Sequence, residues 1–353
     1  ENTQFFDCGK SRGVILMNKY YDKSQLLGYN KLFSFVIGAR GIGKTYQFKT
    51  WAVSDYLTHK RTSWWVMRYK TEIDKITKDG RFFADVLEKY PSCEFKIDGP
   101  TGYLRRAASS VWEPFINFQA LSESAIKAIS DPECNKIVFD EFIPLPGIRY
   151  LNNEVERFLE FYFTISRGRD LRAFFLANNV TSVSPYFTYF GIKPGNSEFT
   201  QSPEIVIQNA RTEAFSDSMK NTRFGQMIAG THYSKYAIEN ESFADTSTFI
   251  SDKLPQRSRE IFNLKSQYGI FQIFICKPSM LYIRKRTAPA NRAVIYAGFD
   301  EHDEQTIELS SHAKMIRDLL SRYYALGLLQ FDSITTKSEF MQSFEKFLVR
   351  VKI

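Results

Sequence analysis

Apolar positions along the first two hundred residues fall into short unbroken runs, separated by polar stretches with helical spacing. Residues 32–37 (Leu-Phe-Ser-Phe-Val-Ile) read as a buried strand, 46–57 as a helix, 63–67 as a second strand and 81–89 as a further helix. A hairpin is expected around Asp98-Gly99-Pro100-Thr101-Gly102, and a helix over 122–128. Residues 136–141 read as a strand ending in two acids, 154–165 as a helix, and 172–177 as a strand ending at Asn178-Asn179. These strands lack polar alternation, as strands buried on both faces do. Their alternation with helices predicts an α/β fold with a parallel sheet covered on both sides.

Beyond about residue 200 the pattern changes. Gly225, Gly230, Asn240 and Pro255 punctuate polar stretches that read as a linker. Short strand-like pieces follow at 261–266, 270–277, 281–286 and 293–297, with turns at Tyr268-Gly269 and Pro278-Ser279. Helical spacing returns at 311–325 and 337–351. The expected organisation is an α/β domain over 1–219, a linker or lid over 220–250, and a small α+β domain over 251–353.

Composition narrows the class. Hydrophobic residues make up 43% of the 353 and charged residues 24%, ordinary values for a globular protein. The 32 Phe and 19 Tyr are read mainly as core, although some rings are suited to stacking on bases. Lys and Arg outnumber Asp and Glu by 47 to 39, and by 16 to 11 from residue 251 onward, which suits a polyanionic partner. Cys8, Cys93, Cys134 and Cys276 form no C-x-x-C pair, so neither disulfides nor a zinc site is expected. No apolar run approaches the roughly 18–20 residues of a membrane span, and 14–17 is too short for a signal peptide, so a cytoplasmic protein is expected.

The chemistry is concentrated in two motifs. Gly38-Ala39-Arg40-Gly41-Ile42-Gly43-Lys44-Thr45 fits G-x-x-x-x-G-K-[ST] without deviation, between a strand and a helix. Small residues let the backbone N–H groups cradle phosphates; Lys44 would reach the β- and γ-phosphates, and the Thr45 hydroxyl would ligate Mg²⁺. The strand ending at Asp140 supplies the carboxylate that completes the metal site, and Glu141 beside it can polarise a water for attack on the γ-phosphate. The pair implies ATP hydrolysis. Asn178 ends the next strand, where it can sense the γ-phosphate or orient water; it also reads as an ordinary turn residue. In Ser166-Arg167-Gly168-Arg169-Asp170, an arginine before a strand suits either a solvated turn or a finger into a neighbouring subunit's site.

Phe35 to Lys44, Val138-Phe139-Asp140-Glu141-Phe142, Pro185-Tyr186-Phe187 and Thr222-Arg223-Phe224-Gly225 together resemble the DNA-packaging ATPases of phi29-like tailed phages. The resemblance runs, with gaps, over nearly the whole chain. It implies an additional-strand, conserved-glutamate (ASCE) P-loop domain, a lid, and a degenerate RNase H-like C-terminal domain. It further implies a ring of copies, usually a pentamer, at the procapsid portal with a structural packaging RNA in the host cytoplasm, translocating double-stranded DNA with ATP and Mg²⁺. Arg167 falls at the family's trans-acting finger, with Arg169 its rival; Lys70 and, more loosely, Lys127 fall where basic residues contact a neighbour's nucleotide or the DNA.

Nuclease-active terminases need carboxylates distributed over the C-terminal sheet to hold two metals. The runs 261–266, 270–277 and 281–286 contain none, and Asp300-Glu301-His302-Asp303-Glu304 is contiguous, as in a solvated loop. A binding domain is therefore expected, with Arg284-Lys285-Arg286 as candidate phosphate contacts. Two other readings share these motifs: a helicase or conjugation-type ATPase, and a nucleotide-gated assembly factor that turns over little ATP.

Overall fold

The computed structural model describes residues 19–123, 131–145, 148, 150–181, 183–195, 197–239, 249–277, 280–286, 294–296, 306–308 and 314–348. Lys127, most of the helix expected at 122–128, the Pro278-Ser279 turn and the acidic run 300–304 lie outside them.

Nine strands form the first sheet: β1 (Phe33–Gly38), β2 (Thr62–Met67), β3 (Cys93–Asp98), β4 (Thr101–Arg106), β5 (Glu113–Ala120), β6 (Cys134–Asp140), β7 (Arg172–Asn178), β8 (Phe199–Gln201) and β9 (Ile205–Ala210). Their order is β3-β4-β5-β2-β6-β7-β1-β9-β8. The six from β5 to β9 are parallel, and antiparallel strands close both edges. The strand β7 lies between β1, which leads into the phosphate loop, and β6, which carries the acids. That inserted strand is the additional strand expected of the fold class.

Strand periodicity explains the apolar runs. Phe33, Phe35 and Ile37 of β1 enter one core layer with Ile137 and Phe139 of β6 and Phe175 of β7; Val36, Val138, Phe174 and Leu176 enter the other. The first layer is capped by the helix Glu154–Ser166 through Val155, Phe158, Phe161 and Ile165. The second is capped by the helix Lys44–His59 through Phe48, Val53 and Tyr56. The phenylalanine excess is thereby accounted for as core, with Phe35 stacked on Phe175 at 4.3 Å.

Some local expectations fail. Residues 81–89 are consecutive turns, with bonds such as Ala84 N to Arg81 O and Val86 N to Phe83 O, rather than an α-helix. Burying Phe83 and Val86 against the sheet takes precedence over helical continuity there. The helix lies just upstream, at Lys70–Asp79, where Glu72 caps the Tyr69 N–H and Gly80 ends the helix in the left-handed region. In the stretch expected as a linker or lid, short helices form at Arg223–Met227 and His232–Ala237.

A second sheet comprises β10 (Ser258–Ser266), β11 (Gly269–Cys276), β12 (Met280–Lys285), β13 (Val294–Tyr296), β14 (Thr306–Glu308) and β15 (Leu329–Phe331), in the order β14-β13-β10-β11-β12-β15. The strands β10 to β12 are an antiparallel meander, while β13 is parallel to β10, β14 to β13 and β15 to β12. Phe262, Leu264, Phe271, Ile273, Leu281 and Ile283 pack on one face beneath the helices Lys314–Ala325 and Ile334–Leu348. The first strand starts earlier than expected and contains one acid, Glu260, whose carboxylate accepts from Asn263 and Gln272. Thr188 donates to Glu339 across the two parts of the chain at 3.1 Å.

Candidate functional site

Three parallel strands end side by side and set the site's frame. Gly38 of β1 is level with Asn178 of β7, and Asp140 of β6 is level with Leu176. A Cβ on Gly38 would stand 2.7 Å from the Ala210 carbonyl oxygen, so β1 can turn away here only as glycine. Gly41 and Gly43 then take φ of 84° and 93°, the left-handed region that favours glycine, and bring the chain into the helix Lys44–His59.

Lys44 is buried beneath this loop. Its Nζ donates to the carbonyls of Gly38 (2.9 Å) and Ala39 (2.8 Å) and to Asn178 Oδ1 (3.2 Å). Burial lowers its pKa to about 7 against the opposing pull of Asp140 and Glu141. The Thr45 hydroxyl donates to Asp140 Oδ2 at 3.1 Å. Burial, reinforced by Glu141, raises the Asp140 carboxyl to about 6, with the Thr45 bond opposing. Perturbed titrations of this kind concentrate where a charged ligand is to be received. A hydroxyl and a carboxylate facing one another are hard oxygen donors that fit Mg²⁺.

Glu141 follows directly, exposed, with φ of 55°. A non-glycine residue in the left-handed region is uncommon and is held there by its surroundings. Its N–H donates to Asp140 Oδ1 at 3.1 Å, while Arg68 Nη1 donates to its carbonyl at 3.0 Å. Partial burial and the nearby Glu72 raise its carboxyl above the ordinary range, with Arg40, Arg68 and Lys44 opposing.

The two candidate finger arginines differ sharply. Arg169 directs all five guanidinium N–H groups at backbone carbonyls: Nε to Ser166, Nη1 to Pro132 and Cys134, and Nη2 to Asp131 and Ile165, at 2.7–3.1 Å. It staples the end of the helix Glu154–Ser166 to the loop before β6. Arg167 is exposed and caps that helix in the left-handed conformation. The helix begins near Glu141 and runs 13 residues, about 20 Å, to the opposite edge of the sheet. Arg167 therefore cannot reach the phosphate loop of its own chain.

The remaining basic candidates disperse. Lys70 is exposed and pairs with Glu123 at 2.6 Å. Strand alternation sends Arg284 and Lys285 to opposite faces of β12. Arg284 lies over the Phe274 ring and donates to Gln272, on the face opposite the helices Lys314–Ala325 and Ile334–Leu348. Lys285 pairs at 2.5 Å with Glu339, buried on the helix Ile334–Leu348. Arg286 continues past the strand, its backbone N–H bonded to the Ile270 carbonyl. The contiguous triplet is not one patch: Lys285 is turned inward.

Sequence reasoning missed four neighbours of the site. Phe215 and Tyr20 flank the loop, 3.2 Å and 3.8 Å from where Cβ atoms on Gly41 and Gly43 would sit. Tyr236, from the short helix His232–Ala237, joins the core layer on the Asp140 side. Arg68 is buried at the end of β2 against Glu154. None carries a local sequence signal, because each is brought in by a different element.

Residues 17–349 match the family of podovirus DNA encapsidation proteins (Gp16). The chain is 31% identical over 331 residues to the DNA packaging protein of Bacillus phage B103, covering 92% of this chain and 100% of that one. It is 27% identical over 337 residues to the DNA packaging protein of Bacillus phage phi29, covering 94% and 98%. Among solved structures it is similar to a chain of the bacteriophage phi29 viral genome packaging motor assembly, with a TM-score of 0.67 and 27% identity, covering 93% of this chain and 99% of that one.

Proposed function

The chain belongs to the podovirus DNA encapsidation protein family, and from that premise we propose that it is an ATP-driven motor that moves double-stranded viral DNA into a preformed procapsid. The carrying observation is the convergence of Lys44, Thr45, Asp140, Glu141 and Asn178 at one sheet edge, with Arg167 presented at the other.

ATP is the substrate. Its triphosphate replaces the Gly38 and Ala39 carbonyls as the partner of Lys44, restoring a full charge to a lysine that burial has weakened. Thr45 and Asp140 would hold Mg²⁺, which would supply charge to neutralise the phosphates. Glu141 takes the proton of the attacking water, and its raised pKa improves it as a base. Asn178, already within 3.2 Å of Lys44 Nζ, orients that water or reports the γ-phosphate. Phe215 and Tyr20, which flank the loop, are the aromatic rings we take as candidates to contact the adenine. Arg167 completes the site of an adjacent copy in a ring, a pentamer by family resemblance, and Arg169 holds the helix end that presents it.

We read residues 1–219 as the ATPase domain, 220–250 as a lid and 251–353 as an RNase H-like domain without nuclease carboxylates. Three antiparallel strands flanked by two parallel ones, β12-β11-β10-β13-β14, support that last assignment. This domain grips the phosphate backbone through sequence-independent contacts, while the assembly docks on the portal with its packaging RNA in the host cytoplasm. The test mixes wild type with Arg167→Ala and follows ATP turnover. Steep cooperative poisoning is expected; a linear decline with variant fraction would remove the shared site.

A further inference from the structure

We propose that Arg68, locked by Glu154, is a positioning residue for hydrolysis: it fixes the backbone that aims Glu141. The inference rests on Glu141 being the base.

The strand β6 ends at Asp140, and the next two carbonyls leave the ladder on the interior side of the sheet edge, where each needs a donor. Arg68 supplies both: Nη1 to Glu141 O at 3.0 Å and Nη2 to Phe142 O at 2.7 Å. On its other side the same guanidinium grips Glu154 bidentately, Nε to Oε2 at 2.7 Å and Nη2 to Oε1 at 2.9 Å. Both side chains are 1% exposed. Glu154 is itself fixed by the Leu151 N–H (2.8 Å) and the Tyr186 hydroxyl (3.3 Å). Tyr150 and Phe139 present ring faces to the guanidinium.

These contacts tie together segments that bound the site: the end of β2, the end of β6 and the turn after it, the helix Glu154–Ser166 between β6 and β7 and, through Tyr186, the short helix Pro185–Tyr189 after β7. Glu141 is held at φ of 55°, where it would not stay unaided, while Phe142 N–H is pinned to Leu176 O of β7 at 3.1 Å. The fork reaches two successive carbonyls and a carboxylate at once, which the single point charge of lysine cannot do. A fully buried ion pair is weak evidence of stabilisation for its own sake. Its direct hold on the backbone of the proposed base gives it a different role, that of a brace which fixes where the carboxylate points.

The test uses the full-length chain with ATPase rates and binding of a fluorescent ATP analogue. Arg68→Met with Glu154→Gln removes both charges together, keeps an amide oxygen to accept from the Leu151 N–H while the amide NH₂ can donate to the Tyr186 hydroxyl, and deletes the bonds to Glu141 and Phe142. The folded double variant should lose about 10²-fold in kcat, as a misplacement of ~1 Å does, with KM and analogue affinity within about 3-fold of wild type. Where it fails to fold, Arg68→Lys with intact analogue binding gives the same reading. Added to Glu141→Gln, the double change should cost no further rate, because Arg68 acts only through Glu141. A folded variant with wild-type kcat, or losses that multiply with Glu141→Gln, would overturn the proposal. If Glu141→Gln alone leaves turnover intact, it is the assignment of the base that fails, a distinct result.

Discussion

The nine-stranded and six-stranded sheets both contain charged side chains near strand ends, and they use them in opposite ways. At the carboxyl edge of the first, Lys44, Thr45, Asp140 and Asn178 converge on one another across three elements, and Glu141 is left exposed. In the second, charges close off locally: Lys285 on Glu339, Arg284 on Gln272, and Glu260 on Asn263 and Gln272. Among the described residues no three metal-ligating side chains gather in either sheet. The first arrangement is poised for a ligand that brings its own charge. The second is already satisfied, and this suits a part that binds or transmits force.

If that contrast holds, the largest effect comes from the first sheet. Glu141→Gln should lower ATP turnover by about 10²- to 10⁴-fold, the range for losing a general base, while nucleotide affinity is kept. Rates from a coupled assay and affinities from a fluorescent analogue, measured on one preparation, would show it. Turnover within a few-fold of wild type would place the base elsewhere.

The next effect separates two arginines two residues apart. Arg169→Ala strips five carbonyls of their donor and should cost roughly 1–3 kcal/mol of stability, seen as a lower denaturation midpoint. It should not poison wild-type rings in the cooperative way expected of Arg167→Ala. Strong poisoning by Arg169→Ala with an unchanged midpoint would exchange their roles.

These distinctions show what the sequence could disclose. The phosphate loop and Asp140-Glu141 were legible because backbone need and chemistry coincide within a few residues: glycine where φ is positive, a hydroxyl after lysine, acids at the end of a buried strand. The inserted strand β7 was legible as an apolar run, though its place between β1 and β6 was not. The strand β5, with Pro114 and Asn117 in its run, gave no strand signal; it is defined by pairing with β2 and β4. The helix Lys70–Asp79 packs only Ile73 and Ile76 on the core, an apolar stripe of two residues too short to announce it. Arg68 and Glu154 are 86 residues apart and meet only because the sheet order brings their elements together. The same limit applied to Arg284-Lys285-Arg286, where basic composition was visible but the direction of Lys285 depended on a helix fifty residues later.

Lys285 makes the comparison testable on the second sheet. Lys285→Met leaves Glu339, 1% exposed, without its cation, while Thr188 still donates to it. Lys285 itself is partly solvated, so the loss should be modest, about 1–3 kcal/mol, below that for breaking a fully buried pair. A lower thermal midpoint with ATP turnover unchanged is expected. A fall in DNA affinity at unaltered stability would show instead that Lys285 turns outward to phosphate.

Arg284 should show the smallest effect and the sharpest distinction. It lies on the face of the second sheet opposite the helices Lys314–Ala325 and Ile334–Leu348, over the Phe274 ring and bonded to Gln272, so its removal leaves no buried charge behind. Arg284→Gln should therefore keep both the melting temperature and the ATPase rate. If that face tracks the duplex backbone, the slope of log affinity against log salt should fall by about one, equally for unrelated DNA sequences. An unchanged slope would remove Arg284 from the DNA path and leave the face without an assigned phosphate contact. A change that depended on sequence would be harder to reconcile with a motor, since a contact that reads bases resists sliding along them.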